Sequence, residues 1–163
     1  MEKDKYDLVF IDCPPNFNIV TKNAIVASDF ILIPAKPDYL STMGIDYLTT
    51  SVNQLIEDYN DYCKVEDDNK VEKINPKLEG VVFTMVQFYR GRPISHTRQF
   101  IAQTKILGQE KKFRVFDNYF RENKTLHADA PEQGVPVVLS SNYRGIGDEI
   151  KAFITEFSTN LEL

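Results

Sequence analysis

Residues 6–18 read YDLVFIDCPPNFN, and this stretch decides the fold. Leu8 to Ile11 form an uninterrupted apolar run with β-branched and aromatic members, which predicts a strand covered on both faces. Asp12 stands where the run stops, and the two prolines after Cys13 cannot continue a ladder of hydrogen bonds. Because α/β proteins bind their ligands at the carboxyl ends of parallel strands, Asp12 is a candidate site residue; a simple polar turn is the alternative.

The composition indicates one globular domain, and we expect residues 1–163 to fold as a unit, since 42% of them are hydrophobic. No apolar run approaches the roughly 20 residues of a membrane span, and the acidic start MEKDKYD is not typical of a signal peptide. Two cysteines and two histidines are too few to favour a disulfide framework or a zinc cluster. We therefore expect a cytoplasmic protein that does not bind a membrane.

Charge is distributed unevenly along the chain. The net charge is −5, yet residues 80–127 carry nine basic side chains against three acidic ones. Every arginine lies after residue 89. Such an excess can face phosphate groups, although a solvated helix face is the commoner explanation for a run of like charges.

Strands and helices alternate in the pattern. We predict four strands: Leu8–Ile11, Phe30–Ile33 ended by Pro34 and Pro37, Gly80–Val86, and a more alternating edge strand within KKFRVFDNYF at 111–120. The predicted helices are Ile19–Ser28 with Asn18 as N-cap, a helix over 41–60 capped by Ser41 or Thr42, Ser95–Leu107, and Arg144–Ser158. Strands separated by helices predict an α/β fold with a mostly parallel, doubly wound sheet and helices on both faces.

The order of these pieces resembles the C-terminal portion of the ParA/MinD family of deviant Walker P-loop ATPases, especially ParA/Soj-type partition proteins. YDLVFIDCPP is similar to the Walker B strand of that family, and NAIVASDFILIPAKPDYLSTMGIDYL to the helix, strand and turn that follow it. LEGVVFTMV resembles the strand that ends near the adenine, and FRENKTLHADAPEQGVPVV the later loop. The likeness covers about residues 6 to 158 and implies an incomplete P-loop NTPase fold.

The chain departs from the family pattern at the phosphate loop. No G-x-x-x-x-G-K-[ST] occurs in the 163 residues, and no glycine is followed by Lys-Ser or Lys-Thr. We therefore expect either a fragment of an ATPase, whether shortened artificially or encoded as a short chain, or a protein that has lost its catalytic half. Hydrolysis by this chain alone is not expected, because most of the electrostatic stabilisation of the transferred phosphoryl group is missing.

The resemblance implies a role for each matching residue in the intact protein, which would bind ATP and Mg²⁺. Asp12 would hold a water ligand of Mg²⁺ and so serve catalysis. Pro37 and Asp38 would lie near the nucleotide and the dimer face, with punctuation after a strand as the alternative. Four residues would line the adenine pocket, with plain packing in the protein interior as the alternative: Thr84, Met85, Ala130 and Pro131. This chain alone is expected to hold no cofactor.

The resemblance also implies partners. ParA-type proteins form homodimers that bind DNA without sequence preference, act with a ParB-like partner in chromosome or plasmid partitioning, and associate with the nucleoid. The candidate DNA-binding residues are Arg90, Arg92, Lys112, Arg114 and Lys124. A non-catalytic binding or regulatory module on the same half-fold is the alternative.

Overall fold

The computed structural model describes residues 6–14, 16–65, 71–123, 134 and 144–161. They fall into two compact units, one made of Met1–Ile31 and Thr50–Lys77, the other of Leu32–Thr49 and Leu78–Leu163. Elements are numbered along the chain, and the expectation of a single domain stays a prediction.

The first apolar run does not form the predicted strand. Leu8 to Ile11 belong to no strand, and their side chains are 43–74% exposed. A strand that is apolar on both faces is stable only when strands pair with its edges and side chains cover it. The described residues supply this run with no paired strand, so the prediction of a buried strand here is wrong.

Helix α1 spans Ile19–Val26 and begins where the sequence predicts. The Asn18 side chain accepts hydrogen bonds from the backbone N–H groups of Val20 and Thr21, at 2.9 and 3.2 Å. These bonds satisfy donors that the first turn of a helix leaves without an internal acceptor. The predicted N-cap is confirmed.

Strand β1 spans Phe30–Ala35 and continues through Pro34, where the sequence predicted an end. Proline lacks the donor that a ladder needs, but an edge strand tolerates one whose nitrogen faces away from its neighbour. β1 lies at the edge of the described sheet, Pro34 is exposed, and Ala35 still accepts a hydrogen bond from Thr84. The predicted boundary at Pro34 is therefore wrong.

Helix α2 spans Tyr39–Val65 and begins earlier than predicted. The carboxylate of Asp38 accepts a hydrogen bond from the backbone N–H of Ser41 at 2.9 Å, and the Asp38 carbonyl accepts one from Thr42. The predicted cap at Ser41 or Thr42 is wrong, because Asp38 precedes them and already serves their amides. The helix continues beyond the predicted end at residue 60 and ends at Val65.

Among the described residues, the main sheet has three strands in the order β1-β2-β5. β2 spans Lys77–Phe83, and β5, at Arg114–Val115, pairs parallel to it. β1 and β2 also run in the same direction, since Lys77 donates to Asp29 near their starts and Thr84 to Ala35 at their ends. The α/β class with a parallel sheet is confirmed.

Two predicted strand limits shift. Val86 lies beyond β2 in an isolated parallel bridge with Arg121. β5 is much shorter than KKFRVFDNYF and lies at the edge of the sheet that the described residues form. A short hairpin, β3 at Phe88–Tyr89 and β4 at Arg92–Pro93, leads into helix α3 at Ser95–Lys111.

The core of the second unit lies along β2. The side chains of Val81, Phe83 and Val86 are fully buried, together with Thr104 of α3 and Phe116 after β5. Helix α4, at Arg144–Leu161, adds an aromatic cluster. Its Phe153 ring lies 5.2 Å, centroid to centroid, from the rings of both Phe116 and Phe120. Edge-on aromatic pairs of this kind fix α4 against the loop after β5.

Two carboxylates of α4 hold the same loop. Glu156 accepts hydrogen bonds from the backbone N–H groups of Asp117 and Asn118, at 2.8 and 2.9 Å. Glu149 accepts from the backbone N–H of Arg121 and pairs with the Arg121 guanidinium. Because these glutamates are two turns apart, they lie on one face of α4; Glu156 holds the start of the loop, and Glu149 fixes the position of Arg121.

Candidate nucleotide and nucleic-acid sites

Asp12 lies in the exposed segment that precedes α1, and its carboxylate faces solvent. The Cys13 thiol beside it donates to the Ile11 carbonyl at 3.8 Å, a local contact. No group of three or more His, Cys, Asp or Glu side chains is placed to hold a metal ion in the described part of the chain. A single carboxylate acting through water suits Mg²⁺, which keeps most of its water ligands, but it does not by itself make a metal site.

Asp38 lies in the second unit and has a structural role at the start of α2. Donation by the Ser41 amide, followed by smaller contributions that include the charge of Lys36, lowers the pKa of Asp38. The Lys36 ammonium lies 4.0 Å from the carboxylate. Pro37 beside it is buried. The cap explains both the identity of this residue and its charged state without any ligand.

Thr84 and Met85 follow β2 directly. Thr84 is half-buried and its backbone N–H donates to Ala35 at 2.8 Å. Met85 is about half exposed and has a φ of 53°, in the left-handed region that side chains other than glycine rarely adopt. Strained backbone of this kind clusters at ligand sites, so Met85 is the better supported of the two candidates. Ala130 and Pro131 lie outside the described residues.

Arg90 and Arg92 lie on the β3–β4 hairpin and are exposed. The Arg90 guanidinium lies 5.3 Å from the centroid of the Tyr89 ring. No ion pair holds either arginine among the residues that the structure describes, so both are placed to meet an anion.

Lys112 and Arg114 follow α3, and Lys124 lies outside the described residues. Lys112 is exposed and ends the helix in the left-handed conformation, with φ 62°. Arg114 is engaged differently, because its Nε lies 3.3 Å from Oε1 of Glu79, a buried carboxylate on β2. A guanidinium that compensates a buried charge is costly to withdraw, so Arg114 is the least available of the basic candidates.

Residues around Arg121 form a cavity that the sequence did not predict. Its volume is about 420 Å³, and it lies where the hairpin meets Arg121 and Glu122. The Arg121 guanidinium lies 4.8 Å from the centroid of the Phe88 ring. The signal that could have indicated this site is the succession FYRGR at 88–92, in which aromatic and basic side chains adjoin.

Within the described residues, no helix is long and apolar enough to cross a membrane.

The chain matches known proteins over most of its length. A family model described as an AAA domain matches residues 1–65. An uncharacterized protein of Pseudomonas putida is 36% identical over 138 residues, which cover 83% of this chain and 44% of the relative. The chromosome partitioning protein ParA of Myxococcus xanthus is 31% identical over 83% of this chain and 40% of its own length.

The sporulation initiation inhibitor protein Soj of Bacillus subtilis is 28% identical over 84% of this chain and 46% of its own length. No solved structure matches the chain. The family-model match and the relatives named ParA and Soj support membership of the ParA/MinD family. The family implies the P-loop NTPase fold, with which the parallel sheet agrees. The chain spans less than half the length of these relatives.

Proposed function

We propose that this chain is the portion of a ParA-type partitioning ATPase that extends from the Walker B aspartate onward. The observation that carries the proposal is the match to proteins named ParA and Soj over 83–84% of the chain. In this proposal the intact protein binds and hydrolyses ATP with Mg²⁺, associates with DNA and serves chromosome or plasmid partitioning.

Asp12 has the central role in the intact protein. Mg²⁺ would supply charge neutralisation at the phosphates, and the Asp12 carboxylate would orient one of its water ligands. Pro37, Asp38, Thr84 and Met85 would border the nucleotide. The exposure of Asp12 and the strained backbone of Met85 support these roles, since both residues are accessible to a ligand.

Asp12 is tested by pairing a binding measurement with a turnover measurement. The source DNA immediately upstream of codon 1 is expected to encode an in-frame phosphate loop. In the longer protein, we expect Asp12→Asn to lower ATP turnover by about tenfold or more while nucleotide binding persists, because the metal is oriented rather than recruited. Asp7→Asn, another exposed acid of the same segment, is the matched control. Full turnover in Asp12→Asn would remove Asp12 from the site.

DNA association is proposed through the exposed basic residues, with Arg90 and Arg92 foremost. Phosphate contacts make affinity fall with salt, with a slope of about −0.9 in log K against log salt for each contact on duplex DNA. We expect Arg92→Ala to reduce that slope by about one, whereas Arg114→Ala, whose partner is Glu79, changes it less. Gel shifts across a salt series measure both; binding that ignores salt would contradict the proposal.

Self-association and a ParB-like partner complete the proposal, together with a nucleoid-associated location in the cytoplasm. Exposed apolar side chains at Leu8 to Ile11 favour pairing of one copy with another. Sedimentation of the 163-residue chain is expected to give a dimer or larger species, and Val9→Lys is expected to shift the distribution toward monomer. A clean monomer at micromolar concentration would contradict this.

The second candidate is a non-catalytic binding or regulatory module on the same half-fold. A chain of this kind would be stable alone, show no change of melting temperature with Mg·ATP, and still bind a partner. A saturable rise of the melting temperature with Mg·ATP would exclude it.

A further inference from the structure

The β3–β4 hairpin places aromatic and basic side chains side by side. Arg90 and Gly91 both have positive φ, 48° and 76°, as a two-residue turn with the twist of a hairpin requires. In the hairpin register Tyr89 is opposite Arg92, so the two side chains lie on the same face. The Tyr89 ring is 66% exposed. The exposed Tyr89 therefore has the Arg90 guanidinium 5.3 Å from its ring centroid, and Arg92 is its partner across the hairpin.

The cavity next to the hairpin has apolar walls and a polar rim. Val86, Phe88 and Ile94 form walls, and Gln87, Arg121 and Glu122 contribute polar groups. Gln87 Nε2 donates to Glu122 Oε2 at 3.0 Å, so an amide and a carboxylate lie next to each other in the cavity lining. Groups of this kind can exchange hydrogen bonds with the polar edge of a flat ring.

The cavity is held open by backbone hydrogen bonds. Val86 donates to Phe120 and accepts from Glu122, both at 3.0 Å, and Ile94 donates to Gln87 at 3.0 Å. Arg121 is fixed by Glu149 on one side and by the Phe88 ring on the other. A site with so many fixed partners is largely formed before a ligand arrives, which lowers the entropic cost of binding.

We propose that the hairpin and this cavity, here called the hairpin site, bind an unpaired base of single-stranded nucleic acid. The base would stack on Tyr89 and present its polar edge to Gln87 and Glu122, and adjacent phosphates would meet Arg90 and Arg92. Aromatic platforms next to basic side chains bind single strands in this way, because every base has a π-face. A base that is paired and stacked in a duplex cannot present this face. The inference extends the proposed DNA association.

The charge around the hairpin site favours this ligand. Nine basic against three acidic side chains occur in residues 80–127; one of the basic ones, Arg121, lines the cavity, and Arg90 and Arg92 lie on the adjoining hairpin. A backbone carrying one phosphate per nucleotide matches several guanidinium groups at short spacing better than a small neutral ligand does.

The chain contains no tryptophan, which makes a direct test possible. Tyr89→Trp introduces a single indole at the hairpin site, and a base stacked on it quenches its fluorescence. We expect saturable quenching of the 163-residue variant by a single-stranded dT20, weakening as salt is raised. Matching dA20·dT20 duplex and free dTMP or ATP are expected to quench at least about tenfold less effectively at equal nucleotide concentration.

Affinity of the unlabelled chain is measured in parallel by the anisotropy of a labelled dT20. Tyr89→Leu is expected to weaken single-strand binding by about fivefold or more, the lower end for one stacked base, and to leave duplex binding unchanged. Tyr47→Leu is the matched control, since Tyr47 is 70% exposed on α2. Tyr89→Phe should bind like the wild type, because it keeps the ring. Circular dichroism melting checks that each variant folds.

The outcomes separate this inference from the proposed function. Equal quenching by duplex, or quenching by ATP as tight as by dT20, overturns the single-strand site and leaves the proposed DNA association standing. Wild-type affinity of Tyr89→Leu for dT20 also overturns it. Absence of binding to any DNA overturns both this site and the proposed DNA association, but not the assignment of ATP chemistry to Asp12.

Discussion

Two short runs of nearly the same composition behave in opposite ways. Leu8 to Ile11 read LVFI, and residues 81–84 read VVFT. Phe10 is 74% exposed and belongs to no strand, whereas Phe83 is fully buried at the end of β2. Apolar composition therefore supplies the preference for a strand, and paired neighbours determine whether the strand forms.

The difference follows from hydrogen bonding as much as from burial. β2 lies between β1 and β5, so its backbone groups have partners on both sides. When backbone N–H and C=O groups are buried without such hydrogen-bond partners, the free-energy cost is about as large as the gain from burying an apolar side chain. The run from Leu8 to Ile11 has no strand beside it among the described residues. Burial of its backbone without strand partners would therefore cost more free energy than exposure of its apolar side chains.

Truncation of the two phenylalanines gives the largest expected contrast. Phe83→Ala should lower the free energy of unfolding by about 3–5 kcal/mol, because it leaves a cavity in a close-packed core. Phe10→Ala, at a mostly exposed site, should lower it by less than about 1 kcal/mol. Urea denaturation followed by circular dichroism measures both, and similar losses would mean that the first run is packed in solution.

Glycine substitutions sharpen the comparison by testing how closely β2 is paired. A Cβ at Gly80 would lie 2.6 Å from both Cγ and the carbonyl oxygen of Arg114, so Gly80→Ala should destabilise by about 1–3 kcal/mol. Gly44 in α2 has no neighbour within 4 Å of an added Cβ. Gly44→Ala should instead stabilise by about 0.5–1 kcal/mol, since alanine loses less backbone entropy. Thermal melts of both variants give the signs; a neutral Gly80→Ala would show that β5 can move away.

Substitution of Asp12 and of Asp38, the acids that follow two of the apolar runs, should give a smaller difference in stability. Asp38→Ala removes the acceptor of the Ser41 amide and should cost about 0.5–2 kcal/mol, whereas Asp12→Ala should stay within about 0.5 kcal/mol. Because the pKa of Asp38 is lowered in the folded state, its charge stabilises at neutral pH and the benefit disappears as pH falls below about 4. Asp38→Asn keeps an acceptor and serves as control. Chemical denaturation at pH 7 and pH 3 tests both statements.

Much of the fold was predictable because the structure that neighbouring residues favour is also the structure that the tertiary contacts stabilise. The Asn18 cap, the helical period of α4 and the strand character of β2 each follow from a few neighbouring residues. The errors have a common cause. Whether the strand continues through Pro34 depends on which edge of β1 is paired, and whether Asp38 caps the helix depends on where α2 begins. Neither can be inferred from residue type alone.

The candidate site was predictable only in part. Arg90 and Arg92 stand out from the charge distribution, but the cavity requires residues separated by 35 positions to meet, as Gln87 and Glu122 do. Nothing in the spacing of the sequence predicts that contact, nor the pairing of Arg114 with Glu79.

The sequence by itself determined the alternation of apolar strands with capped helices and the ParA/MinD family, because propensity, capping and motif order are local properties. Tertiary structure alone decided which apolar run became a strand, which arginine was neutralised by a buried acid, and where a cavity opened. Pairing and burial depend on neighbours distant in the chain, and their free energies exceed the local preferences of any short segment.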